Sequence, residues 1–424
     1  MHPDRSRREV VLNRAARELP PGPPRPLSWA PVALHQRLPG YAVTPLREVP
    51  ALARACGVGR VFVKDESARL GLPSFKMLGA SWATYRAVAA RLAARLGGPV
   101  DGLDRLDQPR PWTSLGELGE RLRPLGPLTL VAATDGNHGR AVARMAALLG
   151  YGAEIYLPAG TASARIAAIE GEGAQVAVVG GTYDDAVATA IAAATVDERR
   201  LLIQDTAQSP DKQVPAWVVE GYATVFLEVD QQVAELDAAP GVVLIPVGVG
   251  ALAATAVRHW RRPELDAARR PRLVGVEPLR AACVLRSIEA GRLVAVPGPH
   301  DSIMAGLNCG TPSPVAWPYL RGGLDAVVAV ADERARQAMR DLAALGMVAG
   351  ETGAAALAGL AELAGAGAGA DEATRRALGL GPDASVLLLC TEGATDPDAY
   401  QRIVAGKTKA KAKAETETET ETRS

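Results

Sequence analysis

"VAATDGNHGRAVA", residues 131–143, runs from an apolar segment through a polar, glycine-bearing turn into an alanine-rich helical pattern. Such a crossing from strand to helix belongs to an α/β fold, and Gly136 and Gly139 let backbone approach a ligand closely there. The bland reading is a capped helix with Asp135 or Asn137 as its cap. That accounts for one polar side chain and leaves the other three among Thr134, Asp135, Asn137 and His138 without a role. A carboxylate also sits oddly at a turn whose N–H groups favour anions.

The same alternation continues on both sides. Strand candidates are "RVFVKD", "TLVAAT", "AEIYLP", "AQVAVVG", "RLLIQD", "GVVLIPVG", "RLVGVEP", "AVVAVAD" and "SVLLLCTEG", and helical stretches such as "MLGASWATYRAVAARLAARLG" follow most of them. Near-continuous apolar strands separated by helices predict parallel sheet covered on both faces. The expected fold is α/β with open, doubly wound sheets, two of them, and ligands held at the carboxyl ends of the strands. A stiff proline-rich segment, "LPPGPPRP" (19–26), follows a helix-like N-terminal stretch that could dock on the body. The end, "KTKAKAKAETETETETRS" (407–424), has nothing to bury and reads as a solvated tail.

Composition narrows the function classes. The chain has 424 residues and is 48% hydrophobic, enough for large cores. Lys+Arg and Asp+Glu are equal at 47 each, which removes the general electrostatic case for a nucleic-acid or membrane-surface partner. Cys56, Cys283, Cys309 and Cys390 lie far apart and fit reduced thiols better than a disulfide framework or a zinc site, so no metal is expected. The charged start "MHPDRSRREV" has no apolar signal core, and Glu362 and glycines interrupt the most apolar helical run; a cytoplasmic protein is expected.

Four loops carry residues suited to chemistry. Ser74-Phe75-Lys76 opens a helix, where the dipole and the apolar neighbours Phe75, Met77 and Leu78 are expected to lower the ammonium pKa and expose the neutral amine that Schiff-base chemistry needs. The alternative is a lysine reaching to solvent. The turn at 134–139 is the second loop. Gly248-Val249-Gly250-Ala251-Leu252 follows a buried strand and opens a helix, forming a backbone nest for a phosphate. A dinucleotide site is its rival, although the run lies late in the chain. Thr391, at the end of "SVLLLCTEG", could hydrogen-bond a heterocyclic nitrogen or cap the next turn. An amine, an Asn-bearing glycine turn, a phosphate nest and a late hydroxyl together are the equipment for holding pyridoxal phosphate.

This set resembles the fold-type II pyridoxal-phosphate enzymes, the superfamily of the tryptophan synthase β-subunit and threonine dehydratase. Most dehydratases of that group carry serine before Gly-Asn-His-Gly; Asp135 here resembles the diaminopropionate ammonia-lyase branch. "VFVKDESARLGLPSFKMLGAS", "GTYDDAV", "IQDTA", "SIMAGLNCGTPSP", "GETGAAAL" and "TEGATD" agree in order, and the resemblance covers roughly residues 33 to 406. It implies Lys76 as the cofactor-bearing lysine, Phe75 packed beside the ring and Asn137 on the phenolic oxygen. Gly248, Val249, Gly250, Ala251 and Leu252 would bind the phosphate, and Thr391 the ring nitrogen. Lys76, Asp135 and Asp205 would be the catalytic groups, with Thr134, Asp135, Gly136 and His138 at the substrate.

The resemblance further implies a large cofactor-binding domain (27–85 and 208–406), a small mobile one (86–207), an N-terminal extension (1–26) and a homodimer. The implied reaction is α,β-elimination of 2,3-diaminopropionate, L and D, to pyruvate and two ammonia. A serine or threonine ammonia-lyase and a β-replacement synthase are the alternatives within the fold; a scaffold protein that has lost activity is the alternative outside it. One departure is Gln208-Ser209-Pro210-Asp211, where the family usually has Trp-Glu-Gly-Tyr.

Overall fold

The computed structural model describes residues 9–16, 27–100, 103, 112–206, 213–236, 238–364 and 370–406. The proline-rich segment, the departing loop at 208–211 and the tail from 407 lie outside the described residues. Among the described residues eleven strands form two sheets. They are β1 (Val10–Leu12), β2 (Leu46–Glu48), β3 (Arg60–Asp65), β4 (Thr129–Ala133), β5 (Gly152–Pro158), β6 (Gln175–Val179), β7 (Arg200–Leu202), β8 (Val242–Pro246), β9 (Arg272–Pro278), β10 (Ala326–Val330) and β11 (Ser385–Cys390).

The larger sheet has the order β1-β10-β9-β8-β11-β3-β2 and is parallel through its five inner strands, with antiparallel β1 and β2 at the edges. The smaller sheet, β6-β5-β4-β7, is wholly parallel. Each of the nine strand candidates forms a strand. β8 and β10 are buried along their whole length, as their unbroken apolar runs require. At β6 the inference of two-sided burial fails. It is the edge strand of the smaller sheet, and Val178 is 54% exposed. The helix-like N-terminal stretch also differs from expectation: its residues 10–12 pair with β10 as an edge strand, and Asn13 fastens the end by donating from Nδ2 to the carbonyls of Arg321 and Leu324.

Register brings the loops together. Pairing Cys390 with Asp65, and Leu388 with Leu244, puts the carboxyl ends of β3, β11 and β8 side by side. In the smaller sheet, Gln204 beyond β7 exchanges hydrogen bonds with the backbone of Ala133 at the end of β4, at 2.9 and 3.1 Å. The turn at 134–136 and Asp205 are therefore neighbours.

The stretch between β3 and Lys76 is fixed by buried charge. Arg69 bridges Glu66 and Glu228 at 2.7 Å each, Lys64 meets Glu228 at 2.7 Å, and Thr44 donates to Glu66 at 2.6 Å. All five side chains are buried. Removing one partner from such a cluster leaves an uncompensated charge, which costs about 3–5 kcal/mol. The loop leading into the lysine is thus held from within the core.

Candidate active site

Lys76 is the first residue of the helix Lys76–Leu96, and no side chain caps that helix. The preceding residues are pinned to the end of β11: Phe75 N–H donates to Thr391 O at 3.2 Å, and Gly393 N–H donates to Pro73 O at 2.9 Å. From there Lys76 Nζ reaches the smaller sheet and pairs with Asp205 Oδ2 at 3.0 Å. Phe75 packs on Tyr222, with ring centroids 4.6 Å apart. The ring of Tyr222 in turn requires Gly79, where a Cβ would lie 2.6 Å from it.

One cavity between the sheets collects Phe75, Lys76, Asp135, Asn137, Asp205, the whole run Gly248–Leu252 and Thr391. Four sequence-separated loops thus meet as expected. Thr134, Gly136 and His138 do not line it. Thr134 Oγ1 accepts from Gly136 N–H at 2.9 Å, so these two satisfy each other within the turn. His138 is buried and its Nε2 bonds Ile203 O at 2.8 Å, with burial as the first cause of a lowered pKa. A neutral imidazole donating through Nε2 offers only a lone pair at Nδ1, which cannot donate to a substrate carboxylate.

Electrostatics correct the expectation for Lys76. Burial does act to lower its pKa, but Tyr222, Asp205 and Asp135 outweigh it and raise the ammonium well above the ordinary lysine range. Burial pushes the Tyr222 hydroxyl to about 12, leaving it neutral near pH 7, so the two carboxylates supply the charge. The apolar neighbours were legible in the sequence, whereas the carboxylates arrive from another sheet. The same contacts split the two aspartates. Burial acts to raise Asp205, but the Lys76 charge and the hydrogen bonds from Lys76 and Tyr183 overcome it and hold the carboxyl at about 2. Asp135 is half-buried; desolvation, Glu392 and Asp205 win over Lys76 and Arg165, and its pKa is raised. Asp205 is a counterion and Asp135 the more basic carboxylate.

Other wall residues had no local signal of chemistry. Tyr183 donates to Asp205 Oδ1 at 3.2 Å and accepts from Gln204 Nε2 at 3.0 Å. Glu392 is buried, accepts from Thr352 N–H at 3.0 Å and holds the amide of Asn137 across the two sheets. Both lie inside stretches that carried the family resemblance, but only tertiary proximity gives them a place in the cavity.

The glycine run fits a phosphate group. The helix Ala251–Trp260 starts at Gly250 with no side-chain cap, so its first N–H groups are suited to an anion. A Cβ at Gly248 would lie 3.0 Å from Gly306 O, and one at Gly250, where φ is +100°, would lie 2.5 Å from Leu320 Cδ1. Gly250→Ala is expected to cost about 1–3 kcal/mol. It should weaken cofactor affinity and lower Tm together, read by absorbance titration and thermal unfolding.

Comparison with known proteins agrees with this geometry. The pyridoxal-phosphate dependent enzyme family matches residues 37–374. The chain is 35% identical to diaminopropionate ammonia-lyase of Salmonella typhimurium over 88% of its length and 90% of that protein. It is 34% identical to the Escherichia coli K12 enzyme of the same name, covering 87% and 89% of the two chains. The crystal structure of the Escherichia coli diaminopropionate ammonia lyase in complex with D-serine superposes with a TM-score of 0.80 at 33% identity, covering 93% and 96% of the chains. With a half-buried lysine, a glycine-built anion cradle and a hydroxyl placed around one cavity, the chain belongs to the pyridoxal-phosphate dependent enzyme family.

Proposed function

We propose that this chain is an ammonia-lyase that eliminates ammonia from L- and D-2,3-diaminopropionate and, with water, yields pyruvate and two ammonia. The observation that carries the reading is the charge of the cavity wall. Asp135, Asp205 and Glu392 stand there with Lys76 as the one cationic side chain among the described lining residues. A surplus of carboxylates favours a substrate bearing a second ammonium over a hydroxy amino acid. The names of the relatives point the same way.

Pyridoxal phosphate, when bound, supplies the electron sink for charge left at Cα. Lys76 would hold the cofactor and move the Cα proton on one face, its amine steadied by Asp205, which Tyr183 holds in turn. Asp135 takes the proton on the opposite face, where the D-isomer presents it. Residues 248–252 would hold the phosphate, Asn137 would meet the phenolic oxygen, and Phe75 would flank the ring. Thr391 would offer the ring nitrogen a neutral hydroxyl, a partner that would limit ring protonation and favour prompt elimination. Glu392 fixes the orientation of the Asn137 amide. We place Thr134, Gly136 and His138 behind the substrate wall, shaping the turn that carries Asp135.

We further infer two domains, 27–85 with 208–406 and the small 86–207, and a cytoplasmic homodimer. Four free, buried cysteines support a reducing compartment. Among the described residues no helix is long and apolar enough to cross a membrane. Pyruvate release from both diaminopropionate enantiomers, compared with L- and D-serine and L-threonine, tests the substrate. A higher kcat/KM for serine or threonine would replace this reading with a dehydratase.

A further inference from the structure

A second, larger cavity of 510 Å³ adjoins the first and shares Asp135, Tyr183 and Asn308 with it as walls. Both sheets' connections contribute to it: the loop after β5 and Arg165 on one side, residues 299–303, Glu351 and Asp396 on the other. It borders the reaction cavity on the side where Asp135 stands.

Glu351 is the unusual group there. Its residue is 4% exposed and lines this second cavity, and its Oε2, enclosed beneath the cavity wall, meets no hydrogen-bond partner among the described residues. An unmatched buried carboxylate oxygen carries a desolvation penalty that a charged donor offsets. Its surroundings add negative potential. Burial first, then Glu392 and Asp396, raise the Glu351 carboxyl, with Arg165 opposing them. Arg165 itself turns toward Thr395, to whose Oγ1 it donates at 3.4 Å. Asp301 is neutralised by Arg280 at 2.5 Å, and His300 Nε2 bonds Val296 O. Among the described residues Glu351 has no ion-pair partner, and its walls carry two further carboxylates, Asp396 and Asp135, against the one guanidinium of Arg165.

We propose that Glu351 forms a binding subsite for a primary ammonium group in this adjoining cavity, with Asp396 as its second anionic wall. The occupant is either the second ammonium of an incoming diamino acid or the ammonium released by elimination; both rest on the proposed reaction, and both present the same donors. The subsite concentrates that cation next to Asp135 and discriminates against amino acids with uncharged side chains.

The test uses the pyridoxal-phosphate-loaded enzyme and the variants Glu351→Gln and Asp396→Asn, with cofactor absorbance and circular dichroism as the folding check. Ammonium chloride is titrated against sodium chloride at equal ionic strength while Tm is followed. Wild type should gain Tm specifically from ammonium, Glu351→Gln should lose the gain, and Asp396→Asn should need about threefold more ammonium. The Asn side chain keeps the acceptor that Asp396 Oδ1 offers Ala399 N–H, so this second variant decides the matter should the first fail to fold.

Turnover separates the two sources. If the substrate ammonium is the occupant, Glu351→Gln raises KM for diaminopropionate about tenfold relative to its effect on 3-chloroalanine, which lacks a second amine. If released ammonium is the occupant, the KM ratio holds and ammonium product inhibition weakens about tenfold instead. Equal Tm responses of wild type to both salts overturn the subsite. So does a Glu351→Gln enzyme that loses both substrates alike and keeps its ammonium inhibition. An ammonium-specific Tm gain without any diaminopropionate turnover would sink the proposed reaction and leave the subsite standing.

Discussion

Lys76→Ala is expected to abolish elimination from both enantiomers, by a factor on the order of 10⁴ or more, equivalent to at least about 5.5 kcal/mol of barrier. The size follows from position. Among the described residues Lys76 is the one lysine that lines the cavity, and its Nζ sits 3.0 Å from Asp205. No other described amine there can hold an aldehyde cofactor or return a proton to the same face. The yellow colour of lysine-bound cofactor should vanish, while phosphate contacts at 248–252 still permit weak binding. Folding should change in a defined sense. With Lys76 present, Asp205 is held at about 2 in the folded chain, below its unfolded value. A depressed carboxyl stabilises the fold above its unfolded pKa, and that stabilisation is lost as pH falls through the folded value. Alanine removes this contribution, so Tm should drop near neutral pH and approach the wild-type value in acid. Retained turnover in a folded Lys76→Ala protein would remove the lysine from the mechanism.

Much of this site was legible before the fold was known, and the reason is local. Glycines at 248 and 250, a lysine opening a helix and an asparagine in a glycine turn each owe their identity to backbone geometry or short-range chemistry. Strand runs such as "GVVLIPVG" carry their burial in their composition, and β8 is buried throughout. What the local pattern could not carry was the charge and burial set by partners far along the chain. The Lys76 ammonium was expected to fall and instead rises, because Asp205 lies 129 positions away and its approach depends on how two sheets face each other. Tyr183, Tyr222 and Glu392 are ordinary in sequence and gain meaning only as walls. The resemblance implies a place at the substrate for His138, and the bond of its Nε2 to Ile203 O, 65 positions away, is a contact that no local pattern announces. At β6 the apolar pattern promised a covered strand; position at the edge of the sheet decided otherwise.

The division between the two aspartates yields the sharpest kinetic result. Asp135→Asn should reduce kcat/KM for D-diaminopropionate by about 10²–10⁴, the usual range for a general base, and reduce the L-isomer by less than about tenfold. Asparagine keeps the shape of the turn and its bond partners, so the change removes basicity and leaves the loop in place. Asp205 cannot substitute, because Lys76 and Tyr183 occupy its two oxygens and its carboxyl is held near 2. Asp135 differs: burial and neighbouring Glu392 raise its pKa above the ordinary aspartate value. A base must be ionised to act, so the acid limb of the D-isomer rate profile should lie at higher pH than a free aspartate would place it. In the asparagine variant that limb should disappear from the residual D-activity, while the L-profile keeps its shape. Equal losses on both enantiomers would show that Asp135 serves binding or closure, since only a base confined to one face can tell mirror-image protons apart.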